Sequence, residues 1–469
     1  MAQNRTVKIL DQEREFRVEE LFFSITDEKG IISYGNEVFT RISGYTAEEL
    51  LGEPHNIIRH PDMPRAVFQL LWDTIQAGDT IAAYVKNLAK DGRYYWVLAV
   101  VTPCDEGYLS VRLKPTSELL TVVRSLYGEM LALERQIETE PKLRRKAIEA
   151  STQLLQERLL GLGFADYDAF QQHALETESA QRQKVLENAT QPESPGEGSD
   201  ELATILDHCE QLDVHLLGLF GLLGKFKDMN LRLSEKSQSV LTTADSIRLL
   251  ALNASVASHR LGERTSTLQV VASTLGRSST QLERGTKGLT QSTQEIVGVL
   301  DQLIFGVVAT KLQSEIGIHF LREMLDAAAG THTQSMEDSL GTLLQAIIFR
   351  THNVFDHVAR AEEQFNELEN QLKTLKRNNE ELRFVQFAGK KEAARWQETE
   401  GFSAIFSEAY DHIQNTYGDC VDMGESIQEI RRHIDWIHSA QPEINRHMST
   451  ITQWPTVSPV SQNGYSNSV

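Results

Sequence analysis

Between residues 20 and 115 apolar and polar positions alternate with the period of strands. The segments are LFFSIT, then IISYGN after the turn DEKG, and later TIAAYVKNLA, RYYWVLAVVTP and YLSVRLKP. The turn AKDGR carries an Asp-Gly hairpin signal between the third and fourth segments. Short helices are predicted between the second and third: TAEELLG offers Thr46 as N-cap with Glu49 three residues on, and RAVFQLLWDTIQAG closes at Gly78. This order predicts a small α+β domain over 20–115, a five-stranded antiparallel sheet with helices on one face, preceded by an N-terminal cap at 1–19.

The period then changes. Residues 116–187 read as connecting helices, with Leu119, Leu126 and Leu133 seven apart, a spacing that suits a coiled-coil seam or one face of a packed helix. The segment 188–201 is rich in Pro, Gly and Ser and reads as a flexible linker. All eleven prolines lie outside 196–441, so long helices are allowed there. Leu268, Leu275, Leu282, Leu289, Ile296 and Leu303 recur every seventh residue. So do Val240, Ile247, Ala254 and Leu261, with Ala244, Ala251 and Ser258 between them. Glycines at 262, 330 and 401 mark turns. Arms of roughly 60 residues, each on the order of 90 Å long, predict a long antiparallel helical hairpin pair, a four-helix bundle over 202–441. Its turns near 262 and 400 are expected at one end and the turn near 330 at the other. A disordered tail is expected at 442–469.

Charge narrows the partners. Acidic residues number 66 against 46 basic, a net charge of −20, which repels phosphate backbones and anionic lipid; no nucleic acid partner is expected. Cys104, Cys209 and Cys420 are widely spaced and read as packing residues of a reducing compartment. The N-terminus has no apolar stretch of signal-peptide length, and the longest apolar runs are too short to span a bilayer, so a cytoplasmic location is expected. No Walker loop, HExxH, kinase or cyclase segment stands out, so catalysis is not expected.

One stretch is unusual: PHNIIRHPDMP at 54–64 holds an arginine and a histidine between prolines that stiffen the backbone. Together with YGNEVFTRISGYTAEELLGE before it and VKNLAKDGRYYWV after it, this stretch resembles the PAS domain of bacterial aerotaxis receptors. The resemblance covers about residues 20–115. It implies non-covalent FAD binding, with haem through His55 or His60 as the alternative. It also implies that Asn36, Arg59, His60, Asp62, Asn87, Tyr95 and Trp96 line the pocket. The bland alternative is that RHPDMP caps a helix and pairs its own charges. Where the family places a tryptophan shortly before V-K-N this chain has Ile81, for which Tyr84 or Trp96 could substitute. With no cysteine in the 46–64 stretch, flavin adduct photochemistry is not expected.

The helical half resembles the cytoplasmic signalling hairpin of chemoreceptors. LLALNASVASHRLGERTSTLQVVASTLGR at 249–277 matches the tip pattern, with Ala257 where the family carries a glutamate. A second echo, LRFVQFAGKKEAARWQETEGFSAIF at 382–406, suggests that one chain holds both hairpins as a diverged pseudo-dimer. The resemblance implies a partner-binding tip at Leu252, Asn253, Arg260, Glu263, Glu392 and Arg395. The partners would be a chemotaxis histidine kinase and its coupling adaptor, and homo-oligomers are possible. Gln291, Gln294 and Glu295 are weak candidates for adaptation by methylation. The expected function is a cytoplasmic redox or oxygen sensor for energy taxis. The alternative is a PAS-containing, non-chemotactic scaffold or regulatory protein that has lost kinase control. A floppy joint at 188–201 could not carry a helix rotation, so coupling would require direct docking of the sensor on the bundle.

Overall fold

A computed structural model of the chain describes residues 7–104, 107–187, 200–261, 266–326, 334–395 and 400–453. The described residues divide into two compact units. One comprises the described residues within 1–218, 304–354 and 442–453, the other those within 219–303 and 355–441.

In the first unit the expected strands form β1 (Phe22–Thr26), β2 (Ile32–Gly35), β3 (Ile81–Leu88), β4 (Tyr94–Cys104) and β5 (Gly107–Leu113). They make one antiparallel sheet in the order β2-β1-β5-β4-β3. The Asp-Gly turn closes the β3–β4 hairpin with Gly92 at φ 90°. The segment before β1 is laced to this hairpin, Leu10 N donating to Gly92 O at 2.8 Å and Arg14 N to Tyr94 O at 2.6 Å.

Helices α1 (Glu37–Ser43), α2 (Ala47–Leu50) and α3 (Arg65–Gln76), with a 3₁₀ turn at His55–Ile58, follow β2. Side chains of α3 and the 3₁₀ turn, together with odd-numbered residues of β3 and β4, line an inner cavity. The opposite face of the sheet is covered too, and this corrects the expectation of helices on one face only. There Trp96 packs on Tyr127 of α4 (Leu119–Ile137), their ring centroids 6.2 Å apart, and Tyr127 Oη donates to Tyr84 O. Helix α5 (Arg144–Gly161) packs on α4, and α6 (Tyr167–Glu187) lies along β3. The physical reason was visible in the residues. Ile81–Val85 and Tyr95–Val101 are buried throughout, and a strand covered on both faces reads as a continuous apolar run, as AAYV and YWVLAVV do. The leucines at 119, 126 and 133 thus belong to a packed helix. Its buried stripe is Val123, Leu126, Tyr127, Met130 and Glu134.

The long helices are α7 (Asp200–Leu261), α8 (Ser266–Asp326), α9 (Gln334–Ala393) and α10 (Glu400–Ile451), which pack on one another as a helical bundle. Every member of the seven-residue series from Leu268 to Leu303 is buried, as are Val240, Ile247 and Ala254. Series not singled out in the sequence, Leu368, Leu375 and Leu382 on α9 and Phe406, Ile413, Cys420 and Ile427 on α10, are buried in the same way. Gly401 falls inside the first turn of α10 rather than in the connection. The turns around 262 and 330, the residues just before Glu400 and most of the 188–201 linker lie outside the described residues. The expected tail is corrected over 442–451, where α10 continues through Pro442. Ile444, Met448 and Ile451 are buried there, and such packing offsets the hydrogen bond that proline cannot make. Among the described residues no helix is long and apolar enough to cross a membrane.

Within the first unit the sheet sits directly on α8. Phe320 packs against Phe23 and Tyr34, with ring centroids 5.5 and 5.1 Å away, and Gln313 Nε2 donates to Thr102 Oγ1 at 3.0 Å.

Candidate functional site

The cavity on the inner face of the sheet has a volume of about 200 Å³. Its apolar wall comes from α3, where Phe68, Leu71, Trp72 and Ile75 recur at helical spacing, and from Val85, Ala99 and Val101 of the sheet. Trp72 meets Tyr108 edge-on at 5.6 Å. It also closes over Gly30, whose φ of 77° and absent side chain let the indole approach. The polar wall carries Lys29, Arg59 and Arg112 with His55, Asn56, Asn87 and Ser110, and among the described residues no acidic side chain lines it.

Arg112 on β5 is buried. Its Nη2 donates to Ser24 Oγ at 2.9 Å and lies 2.6 Å from His55 Nε2, while Nη1 has no partner. Desolvation pulls the guanidinium pKa down to about 10, and the same desolvation together with the Arg112 charge pushes His55 well below its usual range. His55 is therefore a neutral acceptor. A buried cation with no carboxylate beside it is costly, by several kcal/mol, unless something in the site compensates it. Ser110 Oγ is also buried without a partner.

Of the residues expected at the pocket, Arg59 and Asn87 line it, tied to each other by a backbone bridge. The Arg59 guanidinium lies 3.9 Å from the centre of the Phe68 ring. The rest of RHPDMP follows the bland alternative. His60 is buried, and its Nδ1 accepts from Asp62 N. Burial, with the Lys86 charge, lowers its pKa to about 4 against the pull of Asp62, so the imidazole is neutral. Asp62, held below its ordinary range against its own desolvation by Lys86, pairs with Lys86 and Arg135 at the surface. Pro64 caps α3, and Arg65 N and Ala66 N, left open at the helix start, donate to the Glu134 carboxylate at 2.8 and 3.0 Å.

Asn36, Tyr95 and Trp96 do not line the cavity. Asn36 caps α1 and bridges Phe23 N and Leu21 O. Tyr95 is sealed in the core beside Phe22, and Trp96 faces α4. Tyr84 also points to the outer face, so neither proposed substitute for the missing tryptophan is in place. The cavity's indole is Trp72, four residues after Phe68 on one face of α3. That spacing was the signal for it, as an arginine inside the apolar strand YLSVRL was for Arg112.

At the far sequence motif, Leu252 and Asn253 are exposed. Leu249, Leu252 and Val256 form an apolar stripe on α7, and Phe384 and Phe387 are exposed on α9. Glu392 and Arg395 pair with each other at 2.9 Å. Glu263 and the side chain of Arg260 lie outside the described residues.

Residues 32–110 match the family model for the PAS fold. These residues form a PAS domain. The chain is 41% identical over 114 residues to the Aerotaxis receptor of Escherichia coli (strain K12), an alignment covering 23% of this chain and 22% of that protein. It is 27% identical over 124 residues to the Nitrogen fixation regulatory protein of Klebsiella pneumoniae, covering 25% of each. The chain thus spans about a quarter of the curated relatives it matches. Among solved structures, the light state of the blue-light photoreceptor Aureochrome1 LOV is 21% identical, with a TM-score of 0.21, covering 22% of this chain and 88% of that one.

Proposed function

We propose that the PAS domain holds a flavin, FAD by the aerotaxis-receptor likeness, and that the chain is a redox sensor whose helical bundle reports to a chemotaxis histidine kinase and adaptor. The observation that carries this reading is Arg112, a buried guanidinium with a free N–H in the wall of an aromatic-lined cavity that has no acidic residue among the described ones. Such a wall suits a flat heteroaromatic ring rich in acceptors. Arg112 and Asn87 would hold its polar edge, Trp72 and Phe68 its face, and Arg59 and Lys29 the phosphates. Bound flavin would supply a charge that depends on its redox state. The chain's own part is to keep water out on the apolar side and set cations where negative charge collects. The exposed stripes at Leu249–Val256 and Phe384–Phe387 would meet the kinase and adaptor.

The absorption spectrum of the purified full chain tests the cofactor. Flavin bands are expected. Arg112→Gln should cut flavin per protein at least several-fold, while Trp96→Phe, on the other face, keeps it. A colourless protein that takes up no added flavin, or one showing a Soret band instead, overturns the assignment.

A further inference from the structure

We infer that α6 is the output element of the PAS domain, clamped to the cavity strand β3 at Glu178 and to the bundle helix α8 at Arg182. This rests on the sensor reading above but not on the identity of the cofactor.

Glu178 is fully buried. Its Oε1 accepts from Tyr84 Oη at 2.9 Å and Ser117 Oγ at 2.6 Å, and its Oε2 from Thr116 N at 2.6 Å and Ser117 N at 3.0 Å. A carboxylate held only by fixed neutral donors leaves an unmet charge if one donor moves, so it follows them closely. Tyr84 lies in β3, next to Val85 and three residues before Asn87, both in the cavity wall. Helix α6 holds the same edge strand twice more: Gln171 Oε1 accepts from Ala82 N at 2.8 Å, and Tyr167 Oη donates to Ala82 O at 3.0 Å. The outward N–H and C=O of Ala82 are thereby taken up by α6, while Tyr84 O is taken up by Tyr127 of α4.

One helical turn beyond Glu178, Arg182 is buried against Glu315 of α8 and also donates to the carbonyls of Val18 and Glu19, at 3.2 and 3.1 Å. Lys311 and Asp213 complete the buried cluster around Glu315. Phe320 and Gln313 contact the sheet directly as well, but at β1, β2 and Thr102 of β4, not at β3. The hydrogen-bonded route through α6 is directional. A shift of β3 at Asn87 is therefore handed to α8 by a rigid helix fixed at both ends.

Amide hydrogen exchange in residues 309–321 of the full chain tests this. Tyr84→Phe, far from α8, should speed exchange there about five-fold, and Arg182→Gln should do the same. The double variant should exceed neither by more than two-fold, because both cut one route. Arg158→Gln, an exposed pair on α5, should change nothing there. Should Tyr84→Phe fold poorly, Tyr167→Phe removes a milder contact to the same strand and should give a smaller rise. Wild-type exchange at 309–321 in the β3 variants, or additive effects, overturns the inference. Flavin content read from the same samples keeps this outcome separate from failure of the cofactor assignment.

Discussion

At His60, burial takes the imidazole pKa from 6.5 to about 4, and the sign of the pH effect follows. The folded state keeps His60 neutral, while the unfolded chain protonates it below about 6.5. Its contribution is complete above that pH and is lost as the pH falls towards 4, to a total of about 3 kcal/mol. The thermal midpoint should fall across this window, and His60→Asn, which retains an acceptor for Asp62 N, should flatten the fall. An unchanged slope would contradict the assignment. His60 also shows what single residues disclose. RHPDMP identified the domain, yet only its arginine reaches the cavity. Whether a histidine enters a pocket or a backbone turn is decided by the direction of one side chain, which no spacing records. Arg112 could have been found by asking what a strand arginine among buried neighbours is paired with.

The strands, their order and the heptad series follow from periodicity, because one buried face repeats every two residues in a strand and every seven along a bundle helix. The second layer over the sheet was less legible. Helix α6 carries a mixed face, burying Gln171, Glu178 and Arg182 beside Phe170 and Leu175, and the strands under this layer simply lose their alternation. Local crowding was equally hidden: nothing near Gly30 in the chain announces Trp72, yet a Cβ there would lie 2.9 Å from the indole. Gly30→Ala should cost about 1–2 kcal/mol, from the positive φ and the displaced ring together. It should also push Trp72 into the cavity and lower flavin content. A variant that binds flavin normally would show that Trp72 does not shape the site.

For the whole chain, the feature that sequence could not supply is where the PAS domain rests. The joint at 188–201 made direct docking on the bundle a requirement for coupling without saying which surfaces dock. In the described residues of the first unit, the sheet contacts α8 through Phe320 and Gln313, and α6 contacts it through Arg182. Glu315 lies on the part of α8 that belongs to the first unit, so a change imposed there is felt in the buried core of that helix at Leu312, Ile316 and Phe320. The most direct test of a redox sensor wired in this way is hydrogen exchange on the full chain, oxidised and then chemically reduced under anaerobic conditions. Reduction is predicted to change protection in both β3 and residues 309–321 of α8, and Arg182→Gln should confine the change to the PAS domain. Identical protection of α8 in the two redox states would contradict the account.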